Sequence, residues 1–390
     1  MIKVEHKKDC TGCAACANIC PIGCISMIED NEGFVYPQVN DSECIKCGMC
    51  DKACPIKKCK PTNTEVKNTL AYAVVNKDDR VRYNSSSGAV FPLLANYVLE
   101  KNGVVFGAAF DDNYSVCHCG IDNKNEVERL YTSKYVQSNI GDCYKQAKKN
   151  LDEDKWVLFS GTPCQIAGLN AFLNGKMYEK LITIDFICHG VPSAGIWRKY
   201  VNEYIGKPNN ISNINFRCKK HGWSNYHFLA EYKDGKKSIY ESAQKNSYVN
   251  GFLKNLYLRP SCYDCSFKSL NRISDITIAD FWGVRHICPK LYDDKGCSLV
   301  VVNTKKGEAV FDCLKPGMIY EEANINEAVK HNSAMVKSVV PHIKRQEFFE
   351  RCNDENICTL IDELCKESMK VRIKRYLNRI CRRLRRVIER

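Results

Sequence analysis

No uninterrupted apolar run among the 390 residues reaches the ~18 that a membrane-spanning helix needs, so a soluble or peripheral protein is expected. The opening residues, Met1-Ile2-Lys3-Val4-Glu5-His6-Lys7-Lys8, hold no apolar stretch of the kind a secretory leader requires, and no signal peptide is expected. Acidic residues are scarce at one end. From Lys370 to Arg390, ten Lys or Arg face a single acid, Glu389. That tail carries +9 of the formal +13, which leaves only +4 on the other 369 residues. Basicity confined to a tail argues against a nucleic-acid-binding face on the body of the chain. The remaining composition, 44% hydrophobic and 26% charged, is that of a globular protein with a real core.

What is plentiful is cysteine, 25 in all, and eight of them fall into two copies of one spelling. The first reads Cys10-x2-Cys13-x2-Cys16-x3-Cys20-Pro21 and the second Cys44-x2-Cys47-x2-Cys50-x3-Cys54-Pro55. This is the bacterial ferredoxin run and implies two 4Fe-4S clusters. Three thiolates two residues apart wrap one cubane face, while backbone N–H groups point at its sulfurs. The fourth Cys of each run crosses to the other cluster. Cys10, Cys13, Cys16 and Cys54 are thereby assigned to one, and Cys44, Cys47, Cys50 and Cys20 to the other. Zinc knots are the alternative for Cys-x2-Cys, but zinc does not explain a doubled run of four closed by Cys-Pro. Asn31-Glu32-Gly33, between the runs, predicts a hairpin turn. Cluster thiolates must stay reduced, so a reducing cytosol is the expected setting. Cys24 and Cys59 read as spare thiols.

The polar segment from Lys57 to Thr69 predicts a linker. Strands are expected at Leu70–Val75, Gly103–Phe110, Trp156–Ser160, Leu181–Ile187, from Ile276, and at Ser298–Val302. Asn84-Ser85-Ser86-Ser87-Gly88 precedes apolar residues at Val90, Leu94, Tyr97 and Val98. That is helical spacing with serines placed to cap its start, and Pro92 falls in the first turn. Such a loop could present free N–H groups to a phosphate. Tyr131-Thr132-Ser133-Lys134-Tyr135-Val136-Gln137-Ser138 reads as a half-buried edge, with Lys134 able to meet an anion.

Two segments share a design. The strand at Trp156 ends in Gly161-Thr162-Pro163-Cys164-Gln165, where Thr162 as N-cap, Pro163 and Gln165 spell a helix start. Cys164 in that first turn is expected to have a lowered thiol pKa from the helix dipole. The strand at Leu181 ends in Cys188-His189-Gly190. Ligands gather outside the carboxyl ends of strands in open α/β sheets. With Cys262-x2-Cys265, these cysteines make a set of four that could hold a third metal centre. Scattered buried thiols, a zinc site and a Cys164–His189 nucleophilic pair remain open from spacing alone. Gly307–Leu314 predicts a short helix. From Ile357 the chain reads as helix, with Ile373, Leu377, Ile380, Leu384 and Val387 on one stripe and arginines opposite. That face suits an anionic membrane surface or docking on its own domain.

From about Leu70 to about Lys337 the chain resembles the beta subunits of coenzyme F-420-reducing hydrogenases and dehydrogenases. The resemblance rests on Ser86-Ser87-Gly88, Ser133–Ser138, Gly161-Thr162-Pro163-Cys164-Gln165, Cys188-His189-Gly190, Cys262-x2-Cys265 and Ala279-Asp280-Phe281-Trp282-Gly283. The family is similar to chlorophyll-cycle reductases that use FAD and iron–sulfur clusters. The resemblance implies an FAD and a further 4Fe-4S cluster on Cys164, Cys188, Cys262 and Cys265. It makes Ser86, Ser87, Gly88, Lys134, Gln137, Ser138, Asp280, Phe281 and Trp282 the candidate flavin contacts. Two ferredoxin clusters at one end and a basic tail at the other depart from the simplest members. This layout also looks like that of members accompanying cell-surface polysaccharide synthesis, whose substrate need not be a deazaflavin.

The expected architecture is α/β, α+β overall: a two-cluster ferredoxin domain at 1–60, a larger α/β flavin and 4Fe-4S domain at 70–340, and a helical basic tail at 341–390. The expected function is an iron–sulfur flavoprotein oxidoreductase acting between a one-electron carrier protein and a small organic acceptor. A relay subunit without a substrate site is the alternative. No side chain is named as proton donor, His189 being a candidate that reads more simply as structural. The expected location is the cytosol, with the tail as a candidate contact at the inner membrane face.

Overall fold

The computed structural model describes residues 1–58 and 70–366. Cys59, most of the expected linker, and the basic tail with its Ile373-to-Val387 stripe lie outside the described residues.

In the N-terminal unit, β1 (Ile25–Glu29) and β2 (Val35–Val39) pair antiparallel from Ile25↔Val39 to Glu29↔Val35. The turn between them is the expected one. Asp30 Oδ1 accepts from the N–H groups of Glu32 and Phe34 at 3.1 and 2.9 Å, and Gly33 takes φ +79°. Gly33 is also needed for space, because an added Cβ would lie 2.6 Å from Gly195 Cα in the main domain. Short helices at Ala15–Ile19, Met49–Lys52 and Pro55–Lys58 complete the unit.

The main domain runs through β3 (Leu70–Asn76), β4 (Val104–Phe110), β5 (Val116–Ile121), β6 (Val157–Gly161) and β7 (Leu181–Phe186). It then builds a separate antiparallel sheet from β8 (Ile211–Cys218), β9 (His227–Tyr232) and β10 (Ser238–Ser242), before returning in β11 (Ile276–Asp280), β12 (Ser298–Val302) and β13 (Met318–Ala323). The large sheet has the order β13-β3-β12-β11-β7-β6-β4-β5. Strands β4, β6, β7 and β11 run parallel. β3 shares their direction, because β12 is antiparallel to both β11 and β3. The carboxyl ends of all five therefore open on one edge, where open α/β sheets collect ligands.

Both faces are covered, which is why the central strands read as continuous apolar runs. On one face Val74, Val105, Leu158, Ile184 and Val300 meet the helices Val90–Leu99 and Lys305–Leu314. The first of these buries Val90, Leu94 and Val98 at the expected spacing, each worth about 1.5–3 kcal/mol. On the other face Phe106, Val157 and Phe159 meet Cys143–Asp152 and Pro163–Phe172, and Cys13, Ala14 and Ala15 of the N-terminal unit join that cluster. The small sheet packs on helices Ala194–Tyr200, Ser247–Leu253 and Ile357–Leu364 through Trp197, Phe216, Phe228 and Tyr248. Among the described residues no helix is long and apolar enough to cross a membrane.

The serines of Ser85–Ser87 do not cap the helix that follows. Ala89 is its N-cap at φ +63°, with no side-chain hydrogen bond. The hydroxyls turn to tertiary partners instead. Ser85 Oγ donates to Val81 O, Ser86 Oγ accepts from Ser133 N at 2.7 Å, and Ser87 Oγ donates to Cys297 O at 2.7 Å. Tyr131–Ser138 forms no strand; it is a loop laid across the strand ends.

Candidate cysteine centres and cofactor site

In the first ferredoxin set, burial pushes the Cys13 thiol up to about 11, and Cys10 and Cys54 add to the shift. Cys16 is likewise raised by burial, then by Cys13, Cys10 and Cys54. The four thiols assigned to one cluster thus share one electrostatic neighbourhood, including the crossing Cys54. The second set lines a pocket of about 320 Å³ holding Cys20, Cys44, Cys47 and Cys50, again with the crossing cysteine. Cys24 lies in that pocket, its Sγ 3.5 Å from Cys20 Sγ. Cys47 is exposed and stands among exposed Ile22, Ile45 and Met49.

The third set is assembled from strand ends. After β6, the Thr162 N–H donates to Gln165 Oε1 at 2.9 Å, closing the expected helix start and fixing Cys164 in the first turn of Pro163–Phe172. After β7, its parallel neighbour, come Cys188 and His189. A turn at Pro260–Cys262 then presents Cys262 and Cys265. All four line one cavity. Burial pushes Cys188 and Cys262 each up to about 12. Cys164 is raised too, by burial and then by Cys265, against the expected lowering. A helix dipole at one turn does not outweigh desolvation beside neighbouring thiols.

Such a set fits a cationic iron–sulfur group. Four adjacent half-buried thiolates repel one another, and a cationic core relieves that repulsion and deprotonates its ligands. Three cations sequence reasoning passed over, Arg259, Lys268 and Arg272, line the same cavity. The Lys268 ammonium donates to Cys188 O and, at 2.6 Å, to Ala334 O. Arg272 pairs with buried Asp185 at 3.2 Å. Among the described residues no three His, Cys, Asp or Glu side chains close around a point suited to a single metal ion. His189 lines the cavity, but its Nε2 is held by Asn255 Oδ1 at 2.7 Å and burial lowers its pKa.

The flavin candidates divide. Ser86, Asp280 and Trp282 meet around Arg217, a buried arginine the sequence did not flag. Its Nη2 donates to Asp280 Oδ1 at 2.9 Å and to Ser86 O at 3.4 Å. Its guanidinium lies 3.9 Å from the Tyr226 ring centroid and 5.2 Å from that of Trp282, which stacks on Trp223 at 4.8 Å. Arg217 Nε is buried with no partner, a donor available to an anion. Cation, donors and stacked indoles together fit a planar anionic group. Ser87 is held by Cys297 O, and Gly88 is there for space, since an added Cβ would lie 2.2 Å from Val74 O. Lys134 donates to Tyr131 O at 2.8 Å, and burial lowers its pKa to about 7. Gln137 and Ser138 face elsewhere: Gln137 Nε2 donates to Thr11 O at 3.0 Å, and Ser138 Oγ lies 2.6 Å from His118 Nδ1. Phe281 is wholly buried in the core with Val284 and Leu299.

Residues 154–328 match the family model for the C terminus of the coenzyme F420 hydrogenase/dehydrogenase beta subunit, and residues 9–58 match a 4Fe-4S dicluster domain. The first match contains all four strand-end cysteines; Ser86–Gly88 and Ser133–Ser138 precede it. The N-terminal region is similar to NADH-quinone oxidoreductase subunit I 2 of Geobacter metallireducens, 37% identical over 67 residues, or 16% of this chain and 51% of that protein. It is also similar to Ferredoxin-1 of Caulobacter vibrioides, 33% identical over 63 residues, or 16% of this chain and 50% of that protein. The chain spans about half the length of these curated relatives. Among solved structures, a chain of the F420-reducing NiFe hydrogenase complex from Methanosarcina barkeri (a xenon derivative) superposes with a TM-score of 0.46 at 15% identity, covering 67% of this chain and 89% of that one.

Proposed function

For a chain related over residues 154–328 to the F420 hydrogenase/dehydrogenase beta subunits, we propose an iron–sulfur flavoprotein that exchanges single electrons with a carrier protein and electron pairs with an organic acceptor. The acceptor is F-420-like or another small molecule, and cell-surface polysaccharide synthesis is a candidate setting. The observation that carries this reading is the cavity at the strand ends. The four strand-end cysteines line it together with Thr11, which lies inside the first ferredoxin run. A third cluster there would sit directly against the first. Iron–sulfur clusters supply one-electron transfer and a flavin supplies the junction between one- and two-electron chemistry.

The residues divide the work. Exposed Cys47, with Ile22, Ile45 and Met49 around it, offers a carrier protein a small apolar docking face beside the second ferredoxin set. Pro163–Phe172 holds Cys164 at one end and, at Gly168, packs against Cys13; an added Cβ there would lie 3.1 Å from Cys13 Sγ. Lys268, and more weakly Arg272, favour the thiolate of Cys188 in the strand-end set. Arg217, Ser86, Asp280 and Trp282 would hold the flavin on the same edge of the sheet, near the end of β11.

A relay subunit is the second reading. It is favoured by Gln137, Ser138 and Phe281, three flavin candidates already engaged in packing. Anaerobic reduction followed by acceptor-dependent reoxidation separates the two. The enzyme reading predicts flavin absorbance that bleaches on reduction and returns with an acceptor, and loss of bound flavin in Arg217→Met. Flavin-free protein with full iron would favour the relay.

A further inference from the structure

Arg259 is wholly buried, and its two ends belong to different sites. Its main chain is fixed to the strand-end set, with its N–H donating to Val191 O at 3.0 Å and its carbonyl accepting from Cys262 N at 2.9 Å. Its side chain ends in the ferredoxin unit. There Nε donates to Cys10 O at 2.8 Å, and Nη2 to Val35 O at 2.9 Å and to Cys10 Sγ at 3.7 Å. Nη1 donates to Gln137 Oε1 at 3.0 Å, and Gln137 in turn donates to Thr11 O. The guanidinium stands 4.3 Å from the Tyr36 ring centroid. Gly12, at φ +68°, leaves the room: an added Cβ would lie 2.7 Å from Arg259 Nη1.

What this cation lacks is a carboxylate. Glu32 is taken by Arg345 at 2.6 Å and Asp30 by Lys7 at 2.6 Å, and among the described residues no ion pair reaches Arg259. A guanidinium cannot shed its proton, and a buried charge without a counter-ion is strongly unfavourable. The anion within reach is the thiolate of Cys10. Among the described residues no guanidinium reaches a sulfur of the second ferredoxin set: Cys50 Sγ accepts from the neutral Ile2 N–H at 3.3 Å, and the cation near Cys50, Lys57, is half exposed and already paired with Asp51.

We propose that Arg259 is the positioning residue that seats the first ferredoxin cluster against the strand-end site, and that its charge raises that cluster's reduction potential above the second's. The inference rests on the three-cluster reading above. Reduction adds one negative charge to a cluster, and a cation with an N–H aimed at a ligand sulfur favours the reduced form. The two cysteine runs share one spelling but differ in burial and in this contact, and the contact is the difference that favours reduction of the first cluster. It makes the inner cluster the better electron acceptor, and charge entering at the exposed set moves inward.

The test is an EPR-monitored redox titration of the full-length holoprotein, after its iron is counted. In Arg259→Met the reduced-to-oxidised ratio of the first cluster at fixed potential should fall about tenfold, equivalent to about 59 mV for a one-electron couple, with the second unchanged. Arg259→Lys, which keeps the charge, should restore most of that ratio. Gln137→Glu sets a carboxylate on the guanidinium without removing it and should move the ratio the same way; it decides the matter if Arg259→Met does not fold. Full iron with unmoved ratios in the variants, or equal shifts in Met and Lys, overturns the inference alone. Wild-type protein without iron in the N-terminal sets overturns the reading beneath it.

Discussion

The second ferredoxin set and the strand-end set each gather four thiols, in opposite settings. The second set is drawn from a short stretch, Cys20 to Cys50, with Cys47 exposed and apolar side chains around it. The strand-end set is drawn from Cys164 to Cys265 and lies behind Arg259, Lys268 and Arg272. One arrangement suits exchange with a protein at the surface; the other holds charge away from water. The first ferredoxin set stands between them, local in sequence but buried against the main domain.

The contrast is broken most directly by stripping iron. Limited oxidation of holoprotein by ferricyanide should remove the exposed second cluster first, taking iron from about twelve to about eight per chain, as followed by Mössbauer spectra. Loss of all three in parallel would erase the distinction. The seam between the domains comes next. Arg345→Met leaves Glu32 unpaired in a partly buried site where both side chains are 16% exposed, and should cost about 3 kcal/mol in urea unfolding.

Behind that seam, His118 is fully enclosed between Ser138 Oγ and Ser160 O, and burial lowers its pKa to about 4. The unfolded imidazole takes its proton near 6.5, the folded one only near 4. The stability it contributes is therefore complete above pH 6.5 and lost as pH falls through that window, by up to about 3 kcal/mol. His118→Gln should flatten that part of the pH profile of the unfolding midpoint. The smallest effect is expected at Gly168, where an added Cβ would lie 2.8 Å from Tyr144 Oη and 3.0 Å from Cys13 Cβ. Gly168→Ala should force the two helices apart and cost about 2 kcal/mol by the same unfolding assay.

How much of this was readable beforehand follows the same division. The ferredoxin unit was legible because its doubled cysteine run and the Asn31-Glu32-Gly33 turn are local patterns. The buried strands β3, β4, β6, β7, β11 and β12 were legible as apolar runs, and Thr162-Pro163-Cys164-Gln165 as a helix start. The small sheet was not. β8 and β10 are irregularly buried, with a register shift between Asn215 and Cys218, so neither shows a clean alternation. Convergence of the strand-end cysteines depends on β6 lying beside β7, which no spacing reveals. Arg217 and Arg259 were missed because a buried arginine is spelled like a surface one. The serines before Val90 misled because their hydroxyls had tertiary partners, and Phe281 because a conspicuous aromatic motif also fills a core.

The most direct test is the iron and sulfide content of anaerobically purified protein beside its Cys188→Ser variant. Three 4Fe-4S clusters predict about twelve irons falling to about eight, with both ferredoxin signals intact. About eight irons in both proteins would contradict a cluster at the strand ends.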